Sequence, residues 1–362
     1  MFKVRIQPHW EIAFNAEAPL DTAALLGLLK EIQETGSIAQ AAKSVGLSYR
    51  YAWGLLRDAE HQFGEPLLET GRGRGTHLTA LAEKLVWADK RITARLSPTL
   101  DSLASELEAE LGKIASDRLR TVRMDASHGF AVAELLNHLQ EIRLPIELRY
   151  RNSTDAVAAL SRKECDLAGF HVPTGRHEQA TVAWYLRWLD PHKHCLIHLA
   201  ARQQGLFVAP GNPLGIRSLE DLPRRQVRFV NRQAGSGTRM LLEMMLADAG
   251  ISPHDINGFA SAEFTHSAVA AYIASGMADV GIGVRTAAQR FGLDFIPLVS
   301  ERYFFALPLT AADDPLLQQL IAILQSPGYH QVVNALPGYD AQATGAILTL
   351  AQAFGGHMEA AR

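Results

Sequence analysis

The alternation of strand and helix patterns over residues 119–362 is the feature that most constrains the fold. Short apolar runs of strand length alternate with amphipathic helical segments, and Gly and Pro stand at the turns between them. Parallel strands need such crossover helices, so this pattern predicts open α/β sheets. The chain of 362 residues is 48% hydrophobic and 20% charged, which is typical of a globular protein and excludes a disordered one.

Two copies of this pattern predict two lobes. The predicted strands are 120–125, 146–151, 165–170, 227–231 and 278–283. Polar loops follow the first two strands, with a helix expected at 156–163, and polar segments also open two helices of the second copy. In open α/β sheets ligands bind at the carboxyl ends of strands, so we expect a ligand cleft between the lobes.

The polar loops predict an anion site. Helix N-termini present free N–H groups and a favourable dipole to an anion, Ser and Thr hydroxyls add donors, and glycine lets the backbone approach closely. The candidate ligand-binding residues are Ser127, His128, Asn152, Ser153, Arg232, Ser236, Gly237, Thr238 and Thr265. The alternative is that these side chains only cap their helices, which every helix needs.

Residues 1–78 have the pattern of a strand, three helices and a hairpin. Ser37 and Gln40 form a capping-box sequence at the second helix, Gly46 makes a turn, and Ser48 begins a third helix with one apolar and one Arg-bearing face. Two helices joined by a glycine turn predict a helix-turn-helix whose second helix enters the major groove of DNA. The candidate DNA-binding residues are Ser48, Tyr49, Arg50, Trp53, Arg57, Arg72 and Arg74.

The hairpin tip, residues 70–75, places Arg72 and Arg74 among three glycines. Such a tip is entropically costly to order alone, but it suits a wing that contacts a phosphate backbone or a minor groove. Residues 43–95 hold 9 Lys/Arg and 6 Asp/Glu, a local charge of +3 in a chain of −3. The alternative is a three-helix bundle with a solvated charged face.

Residues 79–118 predict a long linker helix. Apolar residues recur along it at steps of three and four, and the Ser97-Pro98 pair is expected to kink or split it. The stripe consists of Leu81, Leu85, Ala88, Ile92, Leu96, Leu100, Leu103, Leu107, Leu111 and Ile114. We expect a twofold mate to cover this stripe, giving a homodimer or a higher even-numbered oligomer. The alternative is packing on its own domain.

Other classes of protein find little support. The N-terminus does not have the pattern of a secretory signal, and no stretch approaches 18 uninterrupted apolar residues, so we expect a cytoplasmic protein without a membrane partner. Cys165 and Cys195 are expected to be reduced core residues. His192, His194 and His198, with Cys195, lack the spacing of a metal site, and no Walker loop or nucleophile elbow is present. We therefore expect no catalytic residue, no metal and no cofactor.

Two segments of the first region carry a resemblance. GSIAQAAKSVGLSYRYAWGLL (36–56), followed by GRGRGTHLT (71–79), resembles the winged helix of ModE-type molybdate regulators and, more distantly, that of LysR-type regulators. The resemblance spans about residues 20–110. It implies a DNA-binding winged helix. The small β-barrel domains with which ModE-type regulators continue have no counterpart after residue 119.

Three segments of the second region resemble type II periplasmic-binding-protein domains, above all those of the molybdate/tungstate and molybdopterin-related group. They are residues 204–222, NRQAGSGTR (231–239) and GMADVGIG (276–283). The resemblance spans about residues 119–340. It implies that the chain crosses between lobes near 200–210 and 298–307, and that Ser236, Gly237 and Thr238 form an anion loop. Ser127 and Ser153 match by position only.

The sequence therefore predicts an α/β protein with three parts. They are a winged helix-turn-helix at 1–78, a linker and dimerisation helix at 79–118, and a two-lobed periplasmic-binding-protein-like domain at 119–362. We expect a one-component regulator that binds double-stranded DNA and senses a small anion, with molybdate or tungstate implied by the resemblance. The alternatives are a small carboxylate such as formate as effector, or an enzyme of molybdenum-cofactor metabolism or a binding protein without DNA contact. The arginines of the third helix and the hairpin favour the regulator.

Overall fold

The computed structural model describes residues 3–13, 19–71, 75–115, 120–311 and 313–355. It divides into two compact units, Gln7–Leu96 and a larger unit of Met1–Ile6 with Ser97–Arg362. The smaller unit thus includes the first part of the segment predicted as a linker. No helix of the described residues is both long and apolar enough to cross a lipid bilayer.

The smaller unit is built from helices and a hairpin whose ends follow local capping signals. The Asp21, Ser37 and Ser48 side chains each accept a backbone N–H at the start of a helix, and Gly36 and Gly64 end two helices with φ of 65° and 68°. Only glycine adopts this left-handed conformation without strain. The elements are α1 Thr22–Thr35, α2 Ile38–Ser44, α3 Tyr49–Phe63, β1 Leu68–Gly71, β2 Gly75–Leu78 and α4 Ala80–Ala115.

Two local predictions for the N-terminal region are wrong. Residues 3–13 form no strand, because backbone groups there bond to side chains instead: Val4 N–H donates to the Glu108 carboxylate at 2.6 Å. The capping box at α2 is only half formed. The Ser37 hydroxyl accepts the Gln40 N–H, but the Ser37 N–H donates to the Thr35 hydroxyl at 3.3 Å rather than to Gln40.

Helix α4 runs through Pro98 as one helix, so of the kink or split predicted at Ser97-Pro98, the split does not occur. The Ser102 hydroxyl donates to the Pro98 carbonyl at 2.8 Å in the turn that follows the proline. The apolar stripe is covered in part: Leu81 and Leu85 pack against the core of the smaller unit, as the alternative expected, whereas four residues further along are exposed. Leu96, Leu103, Leu107 and Ile114 are 40%, 49%, 41% and 84% exposed.

The larger unit contains one mixed sheet in the order β4-β3-β5-β10-β6-β9-β7-β8, with β11 and β12 paired to β6. Strands β4, β3 and β5 are parallel, as are β8, β7 and β9, so each lobe has the predicted crossover pattern. Its elements are β3 Val122–Ala126, α5 Phe130–Glu141, β4 Ile146–Tyr150, α6 Ser153–Ser161, β5 Leu167–Pro173, α7 Glu178–Tyr185, β6 His194–Val208, β7 Phe229–Arg232, α8 Gly237–Asp248, β8 Ala262–Glu263, α9 His266–Ala274, β9 Val280–Val284, α10 Arg285–Arg290, β10 Asp294–Pro308, α11 Pro315–Leu324, α12 Pro327–Asn334, β11 Tyr339–Asp340, β12 Ile347–Thr349 and α13 Leu350–Phe354.

Strands β6 and β10 join the two lobes. They pair antiparallel along their lengths, from Asp294 opposite Val208 to Pro308 opposite His194. The first lobe attaches through β5, which pairs with the second half of β10, and the second lobe through β9, which pairs with the second half of β6. Both segments named as lobe crossings in the sequence lie in or next to this strand pair.

Candidate functional site

A small cavity lies between the two lobes, at the carboxyl ends of β3, β4 and β7 and the N-termini of α6 and α8. Its volume is about 30 Å³, which suits a single small ion and is far below the roughly 300–1,000 Å³ of sites for drug-sized ligands. The lining residues are Ser127, His128, Tyr150, Arg151, Asn152, Ser153, His171, Arg202, Arg232, Gln233, Ser236, Gly237, Thr238, Phe264 and His266.

Arg232 contributes the dominant charge on the second-lobe side. The residue is 7% exposed, and its Nη atoms contact His266 Nδ1 at 3.0 Å and donate to the Phe264 carbonyl at 2.6 Å. Its Nε atom is buried without a hydrogen-bond partner, and the guanidinium forms no ion pair with any residue that the structure describes. Burial, and then Arg202, lower the pKa of Arg232 to about 9, so the group remains charged at neutral pH.

Arg202 of strand β6 contributes a second guanidinium to the cavity. The charge of this guanidinium is neutralised by a carboxylate. Arg202 forms an ion pair with Glu301 of β10, and both residues are buried. Gln204 donates to the other Glu301 oxygen at 2.7 Å and to the Thr238 hydroxyl at 3.2 Å. Because Thr238 accepts from Gln204, its hydroxyl proton is available to donate into the cavity.

Three histidines surround the cavity in their neutral form. Burial lowers the pKa of His128 to about 4, with further lowering by Arg232 and Arg202. Burial and the same two arginines hold the pKa values of His171 and His266 well below the ordinary range. His171 Nδ1 lies 3.1 Å from the Ser127 hydroxyl, and its Nε2 atom is buried without a hydrogen-bond partner among the described residues. Neutral imidazoles offer one N–H donor without adding charge.

The two lobes meet across the cavity. Gln233 Nε2 donates to Asn152 Oδ1 at 3.0 Å, and a Cβ placed on Gly237 would lie 3.8 Å from Ser153 Oγ. Ser153 lies in the first turn of α6, which begins earlier than the helix predicted at 156–163. The N-termini of α6 and α8 therefore converge on the cavity from opposite lobes, so an ion held there would contact both.

Most of the residues predicted to bind the ligand line this cavity, and two act as caps. The Ser236 hydroxyl donates to the Gln233 carbonyl at 2.9 Å and accepts the Arg239 N–H at 3.3 Å. Its side chain therefore caps α8, and its neighbours Gly237 and Thr238 present the free groups. Thr265 accepts the Ala268 N–H at 2.9 Å at the start of α9 and is not a lining residue.

Several lining residues were not among the sequence candidates. Tyr150 ends β4, His171 lies in β5 and Arg202 lies in β6, all inside strands rather than in the polar loops used as the signal. Gln233 and His266 lie next to candidates along the chain, and a search of the residues flanking the loops would have included them.

The exposed face of α3 holds the described DNA-binding candidates. Ser48, Arg50 and Arg57 are exposed, and Tyr49 and Trp53 are 53% and 38% exposed with their rings edge to face at 6.3 Å. The opposite face packs Ala52, Leu55, Leu56 and Ala59 into the core of the smaller unit. Arg72 and Arg74 lie outside the described residues.

The histidine and cysteine cluster of β6 does not form a metal site in the described residues, where no group of three or more His, Cys, Asp or Glu is arranged to hold a metal ion. His194 Nδ1 accepts the Asp190 N–H at 2.9 Å, and His198 packs on the Phe304 ring. Cys165 and Cys195 are buried and unpaired.

The histidine cluster predicts a pH dependence of stability. Because the folded pKa of His266 lies below the unfolded value near 6.5, the unfolded state binds more protons as the pH falls below about 6.5, and each such histidine costs up to about 1.4 kcal/mol per pH unit. Urea unfolding at pH 7.5 and 5.5 without added anion measures the loss. His266→Gln should reduce the pH dependence, and His254→Gln, at an exposed position, should not. Equal slopes in wild type and His266→Gln would contradict the assignment.

Two family models match the chain. Residues 24–83 match "Bacterial regulatory helix-turn-helix protein, lysR family", and residues 133–325 match the "PBP superfamily domain". Over 224 residues the chain is 33% identical to the uncharacterized protein YvgK of Bacillus subtilis, covering 62% of this chain and 71% of YvgK.

Two regulators are also similar. The HTH-type transcriptional regulator CbbR of Xanthobacter flavus is 27% identical over 246 residues, covering 67% of this chain and 64% of CbbR. The transcriptional regulator ModE of Yersinia pestis is 29% identical over 148 residues, covering 39% and 56%. The chain belongs to the PBP superfamily and joins that domain to a lysR-family helix-turn-helix, which makes it a DNA-binding transcriptional regulator of LysR-like organisation.

Proposed function

We propose that this regulator senses a small tetrahedral oxyanion, molybdate or tungstate, in the cavity between its lobes. The observation that carries the proposal is Arg232, a buried guanidinium without a carboxylate partner among the described residues. An uncompensated buried charge is costly, and a bound anion would supply the missing partner. The anion's remaining oxygens would meet the amides of Gly237 and Thr238, at the N-terminus of α8.

The size and the donors of the cavity favour an oxyanion over a larger ligand. A volume of about 30 Å³ favours a small ion over an aromatic or a sugar acid. The donors come from both lobes and surround the centre, which suits an ion with oxygens in four directions better than the planar formate, which has two. Molybdate and tungstate are chosen among oxyanions from the resemblance of residues 231–239 and 276–283 to molybdate/tungstate-binding domains. Formate remains the alternative, because it also needs only Arg232 and two amides.

Arg232→Met tests the site. The variant keeps an unbranched side chain but removes the charge, so molybdate affinity should fall by roughly 10- to 150-fold, the equivalent of about 1.5–3 kcal/mol for a charge-assisted hydrogen bond. Isothermal titration calorimetry with molybdate, tungstate, sulfate and formate measures the affinities. Thermal unfolding shows whether the variant is folded. Arg239→Met is the matched control, because Arg239 pairs with Glu243 and lies over the Phe259 ring outside the cavity. Unchanged molybdate affinity in Arg232→Met would contradict the proposal, and formate binding alone would favour the alternative.

We further propose that α3 reads DNA in the major groove with Arg50 near base edges. Arg50 is exposed in the first turn of α3, and base-contacting side chains of this motif lie near the N-terminus of the second helix. Arg57 lies two turns later and suits a phosphate contact.

Arg50→Ala should weaken specific binding more than nonspecific binding, because a good base contact contributes roughly 1–3 kcal/mol of discrimination. Fluorescence anisotropy with an operator selected from random duplexes, and with a scrambled duplex, measures both affinities. Arg162→Ala, an exposed arginine of the larger unit, is the control. An equal loss on both duplexes would assign Arg50 to the phosphate backbone instead.

We propose that the exposed part of the apolar stripe of α4 packs against a second copy of the chain. Leu96, Leu103, Leu107 and Ile114 follow one another at steps of seven, four and seven residues, so these exposed apolar side chains lie on one face of the helix. A twofold mate presents the same stripe, so the interface is self-complementary, and two winged helices can then read two half-sites.

The double change Leu103→Glu and Leu107→Glu should convert the dimer to monomer, because four carboxylates would be brought together in the interface. Sedimentation velocity measures the mass, and circular dichroism checks that α4 remains helical. Ile142→Glu, at a 53% exposed position after α5, is the control and should not change the mass. A monomeric wild type, or a variant that stays dimeric, would contradict the assignment.

A further inference from the structure

The larger unit contains a second cavity, which is larger than the cavity between the lobes. The cavity between the lobes is called the anion cavity, after its proposed ligand. The larger cavity has a volume of about 350 Å³ and is enclosed by the second half of α4, helix α5, strand β4 and residues 3–6. This volume is within the range of cavities that hold small organic ligands, and it is more than ten times that of the anion cavity.

Side chains of α4 hold the helix beside the edge of the sheet. Strand β4 is the edge strand, and its free N–H groups are satisfied by serines: Tyr150 N–H donates to Ser102 Oγ at 2.9 Å and Leu148 N–H to Ser105 Oγ at 2.8 Å. The Glu108 carboxylate accepts the Val4 N–H at 2.6 Å and fixes the N-terminal segment as another wall. The cavity is therefore framed by specific hydrogen bonds rather than by loose packing.

The lining is apolar inside and balanced in charge at the rim. Buried Ala104, Ala109 and Leu144 contribute to the interior, together with Leu136 of α5. At the rim, Lys3 and Arg5 are matched by two acidic residues of α4, Asp101 and Glu108. Two cations and two anions give no net charge, so the lining favours an uncharged ligand over an ion.

Tyr150 supplies a polar group whose hydroxyl makes no hydrogen bond to any residue that the structure describes. Burial, and then Asp101, raise the pKa of Tyr150, so the phenol keeps its proton and acts as a donor. The same residue lines the anion cavity, where its ring lies 5.0 Å from the ring of His128. One side chain thus borders both cavities.

We propose that the larger cavity is a second ligand site, for an uncharged and mainly apolar molecule of about one aromatic ring that accepts a hydrogen bond from Tyr150. A molecule in this cavity would also contact α4, and the first part of α4 belongs to the smaller unit, which holds the DNA-binding candidates. A second claim rests on the proposed function of the anion site: occupation of the two cavities is coupled through Tyr150.

Acetophenone and benzoate are the probes, because they have similar size and differ in charge. Titration of the full-length protein, without added oxyanion, should give acetophenone binding at least about 10-fold tighter than benzoate binding. Tyr150→Phe should weaken acetophenone binding by roughly 2- to 12-fold, the range for one neutral hydrogen bond. Ala104→Phe fills the cavity and should abolish the binding. Arg232→Met should leave acetophenone binding unchanged, because Arg232 does not line the larger cavity. A result that contradicts the proposed anion site therefore does not contradict the second ligand site.

Absence of acetophenone binding to wild type at millimolar concentration would overturn the proposal. Tighter binding of benzoate would overturn the assignment of an uncharged ligand. If Ala104→Phe does not fold, Tyr150→Phe decides alone, and unchanged affinity there would also overturn it. For the coupling, the molybdate dissociation constant should shift at least about twofold with saturating acetophenone in wild type and not in Tyr150→Phe. Equal molybdate affinity with and without acetophenone would overturn the coupling.

Discussion

The antiparallel pairing of β6 with β10 is the interaction on which the larger unit depends. Each strand has 15 residues and serves one lobe with one half and the other lobe with the other half, so both lobes share a single sheet. The strands approach closely at Gly205, where an added Cβ would lie 2.0 Å from the Ile296 carbonyl oxygen, a contact that only glycine avoids. Any change in the angle between the lobes would therefore have to be accommodated in this strand pair.

The same strand pair brings Arg202 to the cavity between the lobes and holds it there through polar contacts. Arg202 and Glu301 face each other across the pair, and Gln204 links Glu301 to Thr238 of the second lobe. A buried ion pair contributes little net stability, because desolvation offsets the attraction, but it fixes the geometry of the groups around it. Arg202, which has Glu301 as its ion-pair partner, therefore contrasts with Arg232, which has no ion-pair partner among the described residues. The presence or absence of a carboxylate partner thus separates Arg202, which has a structural role, from Arg232, which we propose is available to a ligand.

Helix α4 has two faces with different environments. Ser102, Ser105 and Glu108 bond to the edge strand and the N-terminal segment, whereas Leu103 and Leu107 are exposed. Because Tyr150 ends the edge strand and borders the anion cavity, a change at that cavity has a short covalent and hydrogen-bonded route to α4. Under the proposed function, this arrangement would link the effector site to α4, whose first part belongs to the smaller unit.

The sequence by itself determined the local structure and the class of the protein. Capping residues such as Ser48 and Asp21, left-handed glycines such as Gly36 and the strand–helix alternation act over a few residues, so their signals are readable without the fold. The candidate anion loop of Ser236, Gly237 and Thr238 was predicted from such a local pattern as well. Ser236 and Thr265 cap their helices through hydrogen bonds to residues three positions away, so the sequence offered this role as the alternative to a ligand contact. Only the tertiary structure decided that His171 and Arg202 reach the cavity, and that residues 3–13 form no strand. Those outcomes depend on partners tens of residues away, as with Glu108 for Val4 and Glu301 for Arg202, and no local pattern encodes such a pairing.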